Sequence, residues 1–140
     1  MKRIKLTIVT LLLVVLFSII FERITKPETT APMTSRAQQT AYATINSVPK
    51  NQFSQDGCSL FPDTIFWLDF REACLTHDIA YWIGGTREMR NDADHIFLGH
   101  LKESGVFNTP FAYIMYSGVR LFGDTFLTKL FNENWGYGWN

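Results

Sequence analysis

The 140-residue chain has few of the residues and patterns that specialised folds require. It contains two cysteines, five prolines, one long uncharged run and no internal repeat. From Ser47 onward seven basic residues face eleven acidic ones, so no basic surface remains to neutralise phosphates. With 46% hydrophobic and 19% charged residues, the chain is too apolar for a disordered protein and too mixed for a multi-span membrane protein. We therefore expect one folded unit and no nucleic-acid partner.

The amino end carries a membrane signal. The basic segment Met1–Lys5 precedes sixteen uncharged residues, Leu6–Phe21, a pattern typical of a short membrane anchor or of the apolar part of a signal peptide. Bulky residues at 18–23, where signal peptidase needs small ones, favour an uncleaved anchor, and a buried core helix is the remaining alternative. The basic flank stays in the cytosol. We expect the rest of the chain outside the cytoplasm, periplasmic or extracellular, or secreted if the signal is cleaved.

The composition divides the chain into three parts. Residues 1–24 form the anchor or signal peptide. Residues 25–46 are rich in Thr, Ala, Pro and Gln and contain Pro27 and Pro32, which predicts a flexible tether. Residues 47–140 form the folded domain.

Helical periodicity predicts that this domain is all-α. Asp69 is a candidate N-cap for the first helix, Glu72 would complete a capping box, and Gly84-Gly85 would end the helix. One face of this helix carries Phe70, Cys74, His77 and Tyr81.

A second helix is predicted to follow directly, with Thr86 as its N-cap. On it Asp94 lies on the apolar stripe and Asp92 on the polar side, and the short connection makes the two helices antiparallel neighbours. A third helix is predicted from Thr109-Pro110 toward Gly123. Residues 47–68 are rich in turn formers, so little strand is expected.

His77 is the candidate general base. A second helix packed antiparallel can set Asp94 opposite His77, where its carboxylate would fix the imidazole tautomer and stabilise the protonated ring. Tyr81, one turn after His77, can donate a hydrogen bond to the same carboxylate. The alternative is a structural histidine, because a lone helical histidine more often has that role.

Oxygen ligands for a metal ion are also present. Asp78 points away from the stripe of His77 and is available for a cation, while Asp56-Gly57 offers a carboxylate and a backbone carbonyl, which are ligands that calcium takes. The alternative for Asp56-Gly57 is an ordinary turn.

The two cysteines can join these parts. In an external domain Cys58 and Cys74 can oxidise, and their bridge would hold the Asp56-Gly57 turn near the helix that carries Asp78. The alternative is a pair of buried free thiols.

These motifs together resemble the secreted phospholipase A2 superfamily, and they are closest to its small prokaryotic and fungal-type members. The resemblance covers roughly a third of the chain, and the motifs that carry it are Asp56-Gly57-Cys58, Pro62-Asp63, Ala73–Tyr81 and Asp94–Phe97. It implies an α-helical domain built on two antiparallel helices linked by a disulfide, one calcium ion, and hydrolysis of the sn-2 ester of glycerophospholipids in a membrane.

The resemblance also implies roles for single residues. His77 corresponds to the base that activates water, Asp94 to its orienting partner and Tyr81 to the hydroxyl that supports the pair. The implied calcium ligands are Asp56 and Asp78 by their carboxylates and Gly57 by its backbone carbonyl.

Two other functions stay open. One is a catalytically inactive phospholipase A2-like binding or structural module at the membrane surface. The other is a metal-dependent phosphohydrolase that uses the His77-Asp78 pair, for which only His95 and His100 remain as further histidine ligands.

Aromatic residues form two more candidate features. Phe61, Phe66, Trp67 and Phe70 are either a collar that draws an acyl chain from a bilayer or part of the core. The carboxyl-terminal segment Trp135–Trp139 is either an interfacial anchor or a cover on the core.

Overall fold

A computed structural model describes residues 29–55, 57–58, 61–65, 67–106, 110–125, 129 and 134–139. This part of the chain is mostly helical, as expected. Its helices, in chain order, are α1 (Ala31–Ile45), α2 (Arg71–Ile83), α3 (Arg87–Leu101) and α4 (Pro110–Phe122). A two-stranded antiparallel hairpin, β1 (Thr64–Ile65) and β2 (Leu68–Asp69), precedes α2.

The segment predicted to be a flexible tether is instead largely helical, so the expected boundary at residue 47 is wrong. Pro32 lies in the first turn of α1, where proline is tolerated because its missing N–H would have no helical partner. Ala37 and Ala41 are fully buried, and their small side chains let α1 pack closely against α2. The Arg36 guanidinium also pairs with Glu72 on α2, with an N–O distance of 2.6 Å.

Helix α2 begins one residue later than the sequence indicated. Phe70 occupies the N-cap and makes no side-chain cap bond, whereas the Asp69 carboxylate accepts the backbone N–H of Arg71 at 3.0 Å. Glu72 is engaged by Arg36, so the predicted capping box does not form. The end of the helix is as predicted, because Gly84 takes a φ of 68° at the C-cap, a value that favours glycine.

Helices α2 and α3 form the antiparallel pair that the short connection predicts. The Thr86 hydroxyl caps α3 by accepting the backbone N–H of Met89 at 3.3 Å. A single wide turn, Lys102–Val106, follows α3 and contains Gly105 at a φ of 89°. Helix α4 then packs against α3.

Two apolar clusters flank α2. The cluster in which residues of α1 and α2 meet consists of Ala37, Ala41, Phe53, Leu75, Ile79, Tyr81, Trp82, Ile83 and Tyr137. Toward α3 and α4 lie Leu68, Phe70, Ala73, Cys74, Phe97, Leu101, Ala112 and Met115. Helix α2 is therefore the central element, and polar groups on it are withdrawn from water unless a neighbouring helix supplies their partners.

None of the helices in the described part of the chain is long and apolar enough to cross a membrane. The anchor or signal peptide expected over residues 1–24 lies outside the described residues, and it stays a prediction.

Candidate functional site

The α2–α3 interface brings His77 and Asp94 together. His77 on α2 faces Asp94 on α3. Tyr81 lies one turn after His77 on α2 and faces Arg90, which lies one turn before Asp94 on α3. This order is the one that an antiparallel pair of helices requires. His77 is 8% exposed, Tyr81 4% and Asp94 0%. The sequence separated Asp94 from Asp92 correctly, because Asp94 is fully buried whereas Asp92 is exposed.

Three side chains surround the Asp94 carboxylate. Its Oδ1 lies 3.0 Å from His77 Nε2 and accepts the Tyr81 hydroxyl at 3.0 Å. Its Oδ2 accepts Arg120 Nη1 at 2.8 Å. Because an ionised carboxylate only accepts hydrogen bonds, the proton of a neutral His77 is assigned to Nε2. The Nδ1 lone pair is then left for another partner.

Burial and hydrogen bonding set the charge states of these groups. Burial lowers the pKa of His77 below its ordinary value, although the hydrogen bond and charge of Asp94 act in the opposite direction. Burial by itself would raise the pKa of Asp94, but hydrogen bonds from His77 and Arg120 outweigh it and hold that pKa low. Burial also raises the pKa of the Tyr81 phenol. Near neutral pH the set therefore holds a neutral imidazole, a carboxylate and a protonated phenol.

Two arginines complete the set, and sequence reasoning assigned neither of them a role in the site. Arg120 reaches Asp94 from α4. Arg90 Nε donates to the Tyr81 hydroxyl at 3.2 Å, and its Nη2 donates to the Val119 carbonyl at 3.2 Å. Arg90 lies four residues before Asp94, so helical periodicity places the two on the same face of α3. No local pattern links Arg120 to Asp94, because the two residues are 26 positions apart in the chain.

His77 also lines a cavity of about 300 Å³ between α1, α2 and α3, which is near the lower end of the range for ligand pockets. Most of the lining is apolar. The polar side chains that interrupt it are those of Arg36, Thr40, Thr44, Thr76, Asp92 and His100. Central lining residues are Ala80, Ile83, Ala93, Ile96, Phe97 and Trp135. The cavity offers an apolar ligand a place beside the imidazole.

The disulfide between Cys58 and Cys74 is present, as predicted, and the described residues include no free cysteine. It does not link the two antiparallel helices, which corrects that part of the expectation. Cys74 lies on α2, whereas Cys58 lies in the loop before the hairpin, and neither cysteine is on α3. Helices α2 and α3 are held by packing and by the hydrogen bonds of Asp94.

The residues expected to hold calcium are only partly described. Asp56 lies outside the described residues. Asp78 is half-buried, with Oδ2 shielded from solvent, and it lies one turn after Cys74. Gly57, next to the bridged Cys58, has a φ of 69°. The bridge thus tethers the Gly57 loop to the turn of α2 before Asp78, and carboxylate and carbonyl oxygens are donors that calcium takes.

No group of three or more His, Cys, Asp or Glu side chains that could hold a metal ion occurs within the described ranges. His95 is exposed on α3, close to the Asn91 carbonyl (2.7 Å) and the Tyr116 hydroxyl (3.2 Å). The calcium set of Asp56, Gly57 and Asp78 stays a prediction.

The aromatic residues divide between core and surface. Phe70 is buried and Phe61 packs against it, whereas Trp67 is 87% exposed. Phe66 lies outside the described residues. The single collar envisaged from the sequence is therefore not formed by Phe61, Trp67 and Phe70, because they do not share one surface.

The carboxyl-terminal aromatic segment covers the end of α2, which is the second of the two expected roles. Trp139 Nε1 donates to the Ile83 carbonyl at 2.7 Å, and the Gly136 backbone N–H donates to the Tyr81 carbonyl at 2.7 Å. Trp135 packs edge-on against the Tyr81 ring at 5.2 Å. The segment satisfies carbonyls that the end of a helix leaves open, and it supports the Tyr81 side chain.

Comparison with known proteins adds no relative, since no family model, no curated protein and no solved structure matches this chain.

Proposed function

We propose that this protein is a calcium-dependent hydrolase that cleaves the sn-2 acyl ester of glycerophospholipids at a membrane surface. The observation that carries the proposal is the hydrogen-bonded set of His77, Asp94 and Tyr81, withdrawn from solvent between α2 and α3. Here the imidazole is oriented by a carboxylate that itself has three donors, and its own pKa is lowered.

In the proposed reaction His77 acts as the general base. Its Nε2–H donates to Asp94, so Nδ1 takes a proton from a water molecule as that water attacks the ester carbonyl. Asp94 stabilises the imidazolium that forms, and Tyr81 keeps the carboxylate oriented by donating to the same oxygen. The proton then passes to the leaving alkoxide, so no covalent intermediate on the protein is needed.

Calcium, when bound, would neutralise the lipid phosphate and stabilise the oxyanion. Asp56 and Asp78 would hold the ion by their carboxylates and Gly57 by its carbonyl. The cavity beside His77 supplies an apolar surface for an acyl chain, and the amino-terminal apolar run would keep the domain at a phospholipid membrane.

The test is fatty-acid release by the full-length chain from phospholipid vesicles in calcium, with product analysis to establish which ester is cut. His77→Asn and Asp94→Asn should each abolish most of the release. Glu103→Gln is the control, because Glu103 is an exposed acidic residue just after α3 that does not line the cavity, and it should behave as the unsubstituted chain.

Equal loss from Glu103→Gln and Asp94→Asn would refute the assignment of the His77–Asp94 pair as the catalytic dyad. Absence of release from a folded, unsubstituted chain would refute the enzymatic function and leave the inactive binding module.

A further inference from the structure

The Asp94 carboxylate has a partner that lies outside the dyad and its supporting tyrosine. Oδ1 is shared by His77 and Tyr81, and Oδ2 accepts Arg120 Nη1 at 2.8 Å. Arg120 belongs to α4, the helix on the far side of α3 from α1. Its side chain is 34% exposed, so the guanidinium bridges solvent and a fully buried anion.

Electrostatics explains why such a bridge is needed. A carboxylate withdrawn from water is costly unless a charge or several donors compensate it. Neutral His77 and Tyr81 supply hydrogen bonds but no net charge, whereas arginine stays protonated at any relevant pH. Arg120 is therefore the permanent countercharge of Asp94. It also occupies the oxygen that His77 does not use, which limits rotation of the carboxylate about its χ2 bond.

A second arginine orients the tyrosine. Arg90 Nε donates to the Tyr81 oxygen, so the Tyr81 proton is directed toward Asp94. Arg90 also donates to the Val119 carbonyl, one residue before Arg120. Both ends of the Asp94 network are thereby tied to the last turns of α4.

We propose that Arg120 is a positioning residue for the candidate dyad: by holding Oδ2 of Asp94 it keeps Oδ1 directed at His77 Nε2. The catalytic part of this inference rests on the proposed function, whereas its geometric part does not. Arg120 does not line the cavity beside His77, so we expect it to act through Asp94.

The first readout is independent of activity. Proton NMR of the full-length chain should show a downfield imidazole N–H resonance from the His77–Asp94 hydrogen bond, assigned by its loss in His77→Asn. Arg120→Gln should move this resonance and speed its exchange with water. Arg87→Gln, an exposed arginine in the first turn of α3, should leave the resonance unchanged. Arg120→Met keeps the packing of the aliphatic stem and serves if the Gln variant does not fold.

The second readout is kinetic. Because misorientation of a catalytic group by about 1 Å can cost about 10²-fold in rate, kcat for phospholipid hydrolysis should fall by roughly that factor in Arg120→Gln. KM should change little, since Arg120 makes no contact with the substrate. In Arg120→Ala, added guanidinium ion at millimolar concentration should restore part of kcat, because the position of the Arg120 side chain is partly open to solvent. The same addition should not restore His77→Asn.

The outcomes separate the two proposals. An unchanged resonance together with an unchanged kcat in folded Arg120→Gln and Arg120→Met would overturn the positioning role. A shifted resonance with a lowered, guanidinium-restored kcat supports it. If the unsubstituted chain releases no fatty acid but Arg120→Gln still moves the resonance, the proposed function is refuted. The inference that Arg120 positions Asp94 relative to His77 is then still supported.

Discussion

Replacing Asp94 with asparagine should destabilise the fold much more than the same change at Asp92. Asparagine keeps the volume of the side chain but turns one acceptor oxygen into an NH₂ donor. All three groups around Asp94 are donors. The amide therefore faces one of them donor to donor, unless His77 changes to the tautomer protonated at Nδ1, which would remove the base. An unsatisfied buried donor costs about 1–3 kcal/mol.

Loss of the ion pair adds to this cost. Arg120 is one-third exposed and can be hydrated after the change, so we assign no more than about 1 kcal/mol to its lost charge partner. The sum is about 1–4 kcal/mol, a large part of the 5–15 kcal/mol typical of a whole domain. For a domain of this size, each 1 kcal/mol lowers Tm by roughly 4–8 °C. Asp94→Asn should therefore lower Tm by at least about 4 °C, and Asp92→Asn should change the free energy of unfolding by less than about 0.5 kcal/mol.

The assay is urea unfolding of the full-length chain, followed by far-ultraviolet circular dichroism, at pH 7 and at pH 3. Because the folded-state pKa of Asp94 lies below its unfolded value, its stabilising effect is present above about pH 4 and is lost as pH falls through the folded pKa. The difference in the free energy of unfolding between Asp94→Asn and the unsubstituted chain should therefore be smaller at pH 3 than at pH 7. Equal midpoints for Asp94→Asn and Asp92→Asn at pH 7 would refute the reasoning.

Three further predictions follow from the same geometry. Mass spectrometry of non-reduced protein should find no alkylatable thiol at Cys58 or Cys74, and reduction should destabilise the chain by about 3 kcal/mol in the chain-entropy model; two free thiols would contradict the bridge. Calcium should raise Tm in a concentration-dependent manner by mass action, and magnesium should raise it much less. Asp78→Asn should remove the effect of calcium. An equal rise of Tm in Asp78→Asn would exclude the Asp78 carboxylate as a calcium ligand. Burial lowers the pKa of His77, so the acid limb of the pH profile of kcat/KM should have its midpoint below the ordinary histidine pKa of about 6.5. A midpoint above that value would show that the charge of Asp94 outweighs the desolvation of His77.

Local patterns in the sequence determined much of the helical framework and part of the site. Gly84 at the C-cap ends α2, and Thr86 at the N-cap begins α3. Both residues could be identified from the sequence because capping signals act within one turn of the chain. The four-residue spacing of His77 and Tyr81 places both on one face of α2. Helical periodicity likewise separated Asp94 from Asp92.

Tertiary structure alone decided the contacts between segments that are distant in the chain. Arg120 reaches Asp94 across 26 positions and Trp139 reaches the Ile83 carbonyl across 56, and no periodicity links residues at such separations. The docking of α1 was missed for a related reason. A polar, alanine-containing segment has weak amphipathic patterning, and Ala37 and Ala41 become buried only because α2 presents a surface that small side chains can approach closely.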